Sequence, residues 1–458
     1  MGCSAGASGD SAGTTAHSPA KCRRRGPIES QLSLSFMATG SGTLGTPVAQ
    51  PHILLVEDQA HVAYGHFAVM FAELATALNG AGCSVTVLTA CGWALSGEER
   101  DRHFQLRVLG RVAAAVHRFG WRLARLPPRR YTRRLAGIFK DIAMISEARR
   151  LRRQLGADGV VVTSHVFDPF VAAVVAGRGR WLLYQFPRPR VASAPRSGML
   201  HFWPPRGLLS VAFTILARRA ETRRRRAGGL ARIAANNEPL RQLWGDAAPF
   251  LDPVMVPCIA SRETQPIPDA RERLHVDPDV RLALLFGTAH PRKNHEVVWR
   301  TFDDLPGWRL VIAGGDSVEA YVAWRTHTGA SGTPLLFEGF ASQETRDLLH
   351  AAADLVVLSF TPGSNLDSGT LVDAISWGLP VVCSDQCFAA DVATRLELGP
   401  TFVSGDAASL AAAVRDAPRT LSAETIDRSR EEMSARWMAN LHLDALGIAP
   451  PGSPTAVA

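Results

Sequence analysis

Short apolar runs alternate with longer amphipathic stretches along most of the chain. The first apolar run is 52–56, apolar residues then recur at helical spacing over 67–79, and the next apolar run is 84–89. A continuous apolar run of about four to eight residues is typical of a strand buried on both faces, whereas apolar residues at every third or fourth position are typical of a helix. This β-α-β order predicts a parallel sheet with helices on both faces.

The alternation continues in two blocks separated by a polar stretch, 261–280, whose three prolines are typical of a linker. In the first block we predict further strands at 105–109, 159–163, 181–185, 230–234 and 254–257, and one helical region over 111–154. In the second block we predict strands at 282–286, 309–313, 335–337, 355–359, 381–384 and 402–404, with helices at 296–302, 344–352, 369–377 and 408–414. The fold class is therefore α/β, with two tandem Rossmann-like, doubly wound domains.

The same pattern predicts domain boundaries. Residues 1–50 are rich in Gly, Ser, Thr and Ala without periodicity, so we expect a disordered tail there. The final helical stretch has no strand after it, so we expect it to cross back to the first domain. The predicted units are an N-terminal Rossmann-like domain at 51–262, a C-terminal Rossmann-like domain at 263–422, the returning helix at 423–446 and a flexible tail at 447–458.

Composition narrows the class of protein. The chain has 458 residues, of which 46% are hydrophobic and 20% are charged, which is the balance of a folded globular protein. Its seven cysteines are spread without a C-x-x-C pair or histidines at zinc spacing, so we expect a reducing compartment, no disulfide framework and no metal. No apolar run is long enough for a signal peptide or a membrane-spanning helix.

Positive charge is concentrated in the first block. Residues 101–153 contain 15 Lys and Arg against 3 Asp and Glu, and residues 201–226 contain 7 against 1. Arginines 111, 118, 122 and 125 flank an apolar helical stripe, a pattern suited to an anionic membrane surface. The alternative is a core helix with a solvated face, and no recognition-helix or base-stacking pattern supports nucleic acid. The candidate membrane-surface residues are Arg118, Trp121, Arg122, Arg125, Arg129 and Arg130.

Candidate chemistry lies in two loops of the second block, because open parallel sheets bind ligands beyond the carboxyl ends of their strands. Gly287 follows the first strand and leads to Arg292 and Lys293, two cations that suit a diphosphate, although a solvated basic loop is the alternative. The second loop, 361–370, consists largely of small residues and opens a helix near Gly369, whose N-terminus favours an anion.

Asp373 follows one helical turn later, where its carboxylate could accept ribose hydroxyls. The alternative for this loop is an ordinary capped helix, with Asp367 or Ser368 as the N-cap.

The order of these features resembles a known family. Residues 335–385 are similar to the donor-binding domain of retaining GT-B glycosyltransferases of group 1, with a basic residue after the first strand, an F-x-G strand and an L-x-x-A-A-D segment. The family's Glu-x7-Glu motif continues into A-x-x-x-G-x-P-V-V, which 374–382 match. Asp373 stands at the second glutamate and Asn365 at the first, while Asp367 lies two residues out of register.

The resemblance implies roles for individual residues. Arg292 and Lys293 would clamp the departing diphosphate, and His165, at the second histidine of the family's V-V-H-x-H strand end, would contact the transferred sugar. These three residues are the catalytic candidates. The donor-binding candidates are Gly65, in the position of a glycine-rich loop, with Gly287, Asn365, Asp367, Ser368, Gly369, Thr370 and Asp373.

The implied function is transfer of a sugar from a nucleotide-diphosphate donor to a glycan or lipid-linked acceptor, with retention of configuration. Exopolysaccharide, lipopolysaccharide or glycolipid synthesis would each fit. We expect no cofactor, no required metal, no nucleic-acid partner and a cytoplasmic location on the inner face of the membrane. A non-catalytic partner protein of the same fold, suggested by Asn365, and a nucleotide-sugar epimerase remain the alternatives.

Overall fold

The computed structural model describes residues 50–57, 67–90, 104–127, 129–163, 169–184, 208–235, 238–256, 259–364 and 368–450. Within these residues the chain forms two parallel sheets covered by helices, which confirms the predicted α/β class and its tandem Rossmann-like arrangement. Because helices cover both faces, the central strands are buried throughout, as Gly159–Val162 and Leu355–Leu358 illustrate.

The first sheet has the strand order β3-β2-β1-β4-β5-β6-β7, with every pair parallel. Its strands are β1 His52–Glu57, β2 Ser84–Thr89, β3 Gln105–Val108, β4 Gly159–Val162, β5 Arg180–Tyr184, β6 Leu230–Ala235 and β7 Val254–Met255. The order reverses between β1 and β4, so these two neighbours form the switch point of the first sheet.

The second sheet repeats this order as β10-β9-β8-β11-β12-β13, again with every pair parallel. Its strands are β8 Arg281–Phe286, β9 Trp308–Ala313, β10 Leu335–Phe337, β11 Leu355–Leu358, β12 Val381–Ser384 and β13 Thr401–Phe402. Its switch point lies between β8 and β11, so the residues that follow these two strands meet at one edge of the sheet.

Helices connect the strands in sequence. In the first sheet's part they are α1 Phe67–Gly80, α2 Arg111–Leu123, α3 Arg129–Leu155, α4 Pro169–Ala176, α5 Leu208–Arg226 and α6 Glu238–Ala247. In the remainder they are α7 Ala270–Arg273, α8 His295–Phe302, α9 Ser317–Thr328, α10 Gln343–Ala352, α11 Gly369–Trp377, α12 Phe388–Arg395, α13 Ala407–Asp416, α14 Ala423–Glu432 and α15 Ala435–Ala445.

Two predicted helical stretches are each divided in the structure. The prediction of one helical region over 111–154 is wrong: α2 ends before Pro127 and Pro128, and a proline inside a helix removes a hydrogen bond and clashes with the preceding turn. The stretch 423–446 is likewise two helices. The side chain of Ser434 accepts a hydrogen bond from the backbone N–H of Trp437, and so caps the start of a new helix, α15.

Helix α15 packs on α1 of the first domain, so the expected return of the C-terminal helix is confirmed. Met438, Ala439 and Leu443 join the same buried cluster as Leu74 and Leu78. The chain after α15 then passes so close to β4 that a Cβ at Gly159 would lie 2.7 Å from Leu446 Cδ1. A side chain at this position would therefore force the side chain of Leu446 in the returning segment to shift.

A buried histidine fixes α15 to the first sheet. His442 Nδ1 lies 2.7 Å from the carbonyl oxygen of Met438, to which it donates, so Nε2 is left to accept the hydroxyl proton of Tyr184 at 2.7 Å. The hydrogen bond accepted by Nε2 requires the neutral imidazole, and burial lowers the pKa of His442 to about 4. Across the described ranges, no helix is both long and apolar enough to cross a membrane.

We expect His442 to make the stability of the chain depend on pH. The unfolded histidine takes up its proton near its usual pKa of about 6.5, whereas the folded one does so near about 4, so the free energy of unfolding should fall as pH decreases between these values. The slope should approach about 1.4 kcal/mol per pH unit. Urea unfolding at several pH values measures it.

The matched control uses two histidine variants. His442→Gln should remove this part of the slope, whereas His327→Gln, which changes an exposed histidine near the end of α9, should leave the slope unchanged. An equal slope in wild type and His442→Gln would contradict the assignment.

Candidate functional site

The switch point of the second sheet brings together the two loops that the sequence singled out. The loop after β8 carries Arg292 and Lys293, and the loop after β11 begins at Ser359. The backbone N–H of Thr361 donates to the carbonyl of Arg292 at 2.7 Å, and the Ser359 hydroxyl donates to the carbonyl of Lys293 at 2.6 Å. These two bonds hold the basic segment against the second loop.

A glycine makes room for the lysine. Gly287 has φ 111°, a backbone conformation that residues with a side chain rarely adopt. A Cβ at this position would also overlap Lys293 Nζ. The end of β9 approaches the same residue, since a Cβ at Gly314 would lie 2.8 Å from Gly287 Cα. The Ser317 hydroxyl also donates to the carbonyl of Gly287. The ammonium group thus lies directly over the backbone at the end of β8.

The two cations are partly desolvated and form no direct ion pair within the described ranges. Burial, with a smaller contribution from Arg292, lowers the pKa of Lys293 to about 8, although the negative charge of Asp316 opposes the shift; burial also lowers the pKa of Arg292. Neither residue forms an ion pair within the described ranges, and Nε and Nη1 of Arg292 have no hydrogen-bond partner there. His290 lies beside them, and its pKa is also lowered, first by burial. This edge is therefore arranged to receive an anion.

The helix that opens the second loop adds its N-terminus to the same edge. Ser368 is the N-cap of α11, and its side chain accepts a hydrogen bond from the backbone N–H of Leu371. The hydroxyl of Thr370 donates to the carbonyl of Phe286 at 3.3 Å, which ties the first turn of α11 to the end of β8. Gly369 is the first residue of the helix. Of the two N-caps that the sequence allowed, the structure therefore has Ser368.

Asp373 lies deeper than a simple surface carboxylate. It is 3% exposed, and Arg346 of α10 forms a two-oxygen ion pair with it, including Nε to Oδ2 at 2.8 Å. Arg262 Nε lies 3.8 Å from Oδ1 and His350 Nε2 lies 3.9 Å from Oδ2. Arg262 also pairs with Asp347. The predicted ribose contact stays a prediction, and any such contact must be shared with Arg346.

A carboxylate of the first domain interacts electrostatically with this cluster. Burial raises the pKa of Glu73, on α1, to about 7, while the positive charge of Arg346 opposes the shift and the negative charge of Asp373 adds to it. Glu73 thus couples the first domain to Asp373 and Arg346 through charge. Its titration would change the charge near these two residues around neutral pH.

Several predicted residues lie outside the described part of the chain. These are Gly65, His165, Asn365 and Asp367, so their predicted roles stay predictions. At the switch point of the first sheet the described chain ends at Glu57 and Thr163, and the Thr163 hydroxyl donates to the carbonyl of Val56 at 3.0 Å. The backbones of Arg129 and Arg130 begin α3, but their side chains are not described.

The sequence analysis missed four residues at this site: Glu73, Arg262, Arg346 and His350. Arg346 and His350 are spaced i,i+4 on α10, and this spacing could have placed them on one face of that helix. Nothing in the sequence indicates that this face turns toward Asp373. Arg262 lies in the linker, where polar composition predicts only a loop.

Comparisons with known proteins agree with this geometry. Residues 266–429 match the family model described as glycosyl transferases group 1, and this range contains Arg292, Lys293 and the whole of α11. No curated protein matches the chain in sequence.

Solved structures resemble the chain over most of its length. Sucrose-phosphate synthase from Thermosynechococcus elongatus is 15% identical with a TM-score of 0.61, and the match covers 87% of this chain and 98% of that protein. A glycosyltransferase from Rickettsia africae is 12% identical with a TM-score of 0.60, covering 87% and 98%. HepE from Anabaena is 14% identical with a TM-score of 0.59, covering 87% and 100%. Residues 266–429 thus match the glycosyl transferases group 1 family model, and the chain as a whole has the GT-B fold of these solved structures.

Proposed function

We propose that the chain transfers a sugar from a nucleotide-diphosphate donor to a glycan or lipid-linked acceptor, with retention of configuration. The observation that carries this proposal is the pair Arg292 and Lys293, desolvated at the switch point of the second sheet without a direct ion pair among the described residues. HepE, a structural relative, was solved in complex with UDP and glucose, which makes UDP a rational probe for this chain.

The cations would act on the leaving group. Negative charge grows on the diphosphate as the glycosidic bond breaks, and a preorganised positive group stabilises that charge more in the transition state than in the ground state. The first turn of α11 would add its backbone N–H groups and the positive end of the helix dipole. Since two fixed cations supply this charge, we propose that transfer proceeds without a divalent metal.

Lys293→Ala should lower kcat for the sugar donor by about 10²- to 10³-fold, the range found when one preorganised charge-stabilising group is removed. The donor KM should change much less, because the interaction strengthens as charge develops. Release of UDP from UDP-sugars, or of GDP from GDP-sugars, in EDTA and without acceptor, measures both constants. A folded Lys293→Ala protein with wild-type kcat for its best donor would contradict the assignment.

The pH dependence of nucleotide binding provides a control. The pKa of Lys293 is about 8, so the wild-type Kd for UDP should weaken as pH rises through this value, where the free protein loses the ammonium charge. Lys293→Ala should remove this pH dependence of the Kd for UDP. Lys140→Ala, which changes a lysine on α3 of the first domain, should retain it.

The proposed ribose contact of Asp373 can be separated from its structural role with two ligands. Asp373→Asn should weaken UDP binding by about 1–3 kcal/mol, because a charged hydrogen-bond acceptor is lost, but should leave inorganic pyrophosphate binding unchanged. Isothermal titration of both ligands measures the difference. If UDP and pyrophosphate binding weaken equally, Asp373 instead has a structural role through its ion pair with Arg346.

We also propose that α2 binds the anionic inner face of the cytoplasmic membrane. Helix α2 packs on α3 through Gly120, where a Cβ would lie 2.9 Å from the carbonyl oxygen of Ala136. An adjoining flank is more exposed: Val112, Phe119 and Leu126 are 80%, 52% and 54% exposed, although Phe119 also packs edge-on against Phe139 of α3 with the ring centres 5.2 Å apart. Arginines 111, 118, 122 and 125 lie beside this flank and are exposed. Apolar residues flanked by arginines complement an anionic lipid surface.

Replacing Arg118, Arg122 and Arg125 with Glu should abolish flotation with vesicles of phosphatidylglycerol and phosphatidylcholine. Each arginine near an anionic surface contributes about 1 kcal/mol, and each glutamate adds repulsion. The matched control changes Arg415, Arg419 and Arg436, three exposed arginines outside α2, to Glu and should still float. Flotation that survives the α2 substitutions would refute this surface.

A further inference from the structure

Two cysteines meet at the carboxyl end of β12. They lie beside the sheet edge formed by the loops after β8 and β11, called here the donor edge. Cys383 is the third residue of β12, and Cys387 is the N-cap residue of α12. Their Sγ atoms lie 3.8 Å apart, and the two side chains are 0% and 3% exposed. The thiol of Cys387 also donates to the carbonyl of Ser384 at 3.1 Å. The proposed catalytic machinery uses neither sulfur.

The two thiols differ in chemistry. The hydrogen bond from Cys383, together with the backbone N–H groups of Ala390 and Ala389 at the start of α12, lowers the pKa of Cys387 to about 7 although burial opposes the shift. The same pairing, together with burial, raises the pKa of Cys383 well above its usual value. Cys387 is therefore the better nucleophile, and Cys383 is a thiol held beside it.

The segment between the two cysteines supports the second loop of the donor edge. The Ser384 hydroxyl accepts a hydrogen bond from the backbone N–H of Phe360 at 2.7 Å. The carbonyl of Gln386 accepts one from the backbone N–H of Gly363 at 2.8 Å. The backbone N–H of Phe388 donates back to the carbonyl of Ser364 at 3.2 Å. Gln386 has φ 53°, an unusual conformation for a residue with a side chain. The segment thus has little freedom to shift without releasing the loop.

We propose that Cys383 and Cys387 are a dithiol that a peroxide oxidises to a disulfide, and that the disulfide releases loop 360–364. The Cys387 thiolate attacks one oxygen of hydrogen peroxide, which forms the sulfenic acid and, with one proton, releases water. Cys383 sulfur then attacks the Cys387 sulfur; its proton leaves with the hydroxyl group as a second water. Two thiols and one peroxide give one disulfide and two waters.

The bond cannot form without movement. A disulfide requires its sulfur atoms about 2 Å apart, so the present 3.8 Å separation must shorten by nearly half. Side-chain rotation supplies part of this shift, and because Cys383 is held within the sheet by its backbone N–H bond to the carbonyl of Pro400, the backbone part falls on residues 384–388. These residues hold Phe360 and Gly363. Hydrogen peroxide is close to water in size, so a small local opening gives it access.

Oxidation of the pair does not depend on the proposed function; only its effect on nucleotide binding does. Trypsin releases both cysteines in one peptide, 347–395, which contains no other cysteine. After the full chain is treated with hydrogen peroxide, this peptide should lose the mass of two hydrogen atoms and resist alkylation. Dithiothreitol should reverse both changes. A peptide that gains oxygen, or that remains fully alkylated, would overturn the proposal.

Hydrogen exchange tests the structural consequence without any ligand. The backbone amides of Phe360, Gly363 and Phe388 should exchange at least tenfold faster in the oxidised protein, and the Kd for UDP should rise at least tenfold. A disulfide that leaves all three amides protected would overturn the proposed release of the loop. If the reduced protein fails to bind UDP while the amides respond as expected, the proposed function fails and the dithiol stands.

Variants assign the two roles. Cys383→Ser should stop at the sulfenic acid of Cys387, which dimedone traps, and Cys387→Ser should leave Cys383 unmodified. Cys83→Ser is the matched control, since that buried thiol, whose pKa is raised to about 11, lies in the first domain and should not alter the outcome. Oxidation of Cys383 at the wild-type rate in Cys387→Ser would contradict the assignment.

Discussion

The arrangement of the donor edge depends on the burial of Lys293 over the backbone at Gly287. A buried cation without a direct ion pair is unfavourable, and burial accordingly lowers the pKa of Lys293, a shift that the charge of Asp316 opposes only in part. The fold compensates through rigid connections: the loop after β11 bonds to the carbonyls of Arg292 and Lys293, and Gly314 lets β9 approach β8 closely. An anion bound here would stabilise both cations, because it would add negative charge where they are desolvated.

The sequence predicted the sheets well because a parallel sheet covered on both faces needs continuous apolar strands. Each of the two strand sets overlaps the predicted runs, including short members such as β10 and β13. The cations were also predictable, since a loop directly after a strand must lie at the carboxyl edge. Helix α9 was missed because its apolar residues, such as Val318 and Tyr321, are interrupted by polar ones that hide the period.

Tertiary pairings were beyond prediction from one sequence. Asp373 carries the same charge as the glutamate of the resembled family, but its shorter side chain lies in a two-oxygen ion pair with Arg346, supported by Arg262 from the linker. Whether a carboxylate faces a ligand or an arginine depends on which face of α10 packs on α11. The approach of Glu73 from α1 depends further on the packing of the two domains, in which α15 takes part.

Helix α2, in the first domain, shows the same limit of prediction from the sequence. A helical wheel identifies the stripe through Val112, Phe119 and Leu126, but it cannot say whether that stripe faces the core. The deciding residue is Gly120, because the absence of a side chain lets α3 approach on its face and leaves the apolar stripe on the flank, where Val112 is exposed while Phe119 still packs against Phe139 of α3. The small residue, rather than the large ones, therefore determines which surface the arginines and apolar side chains share.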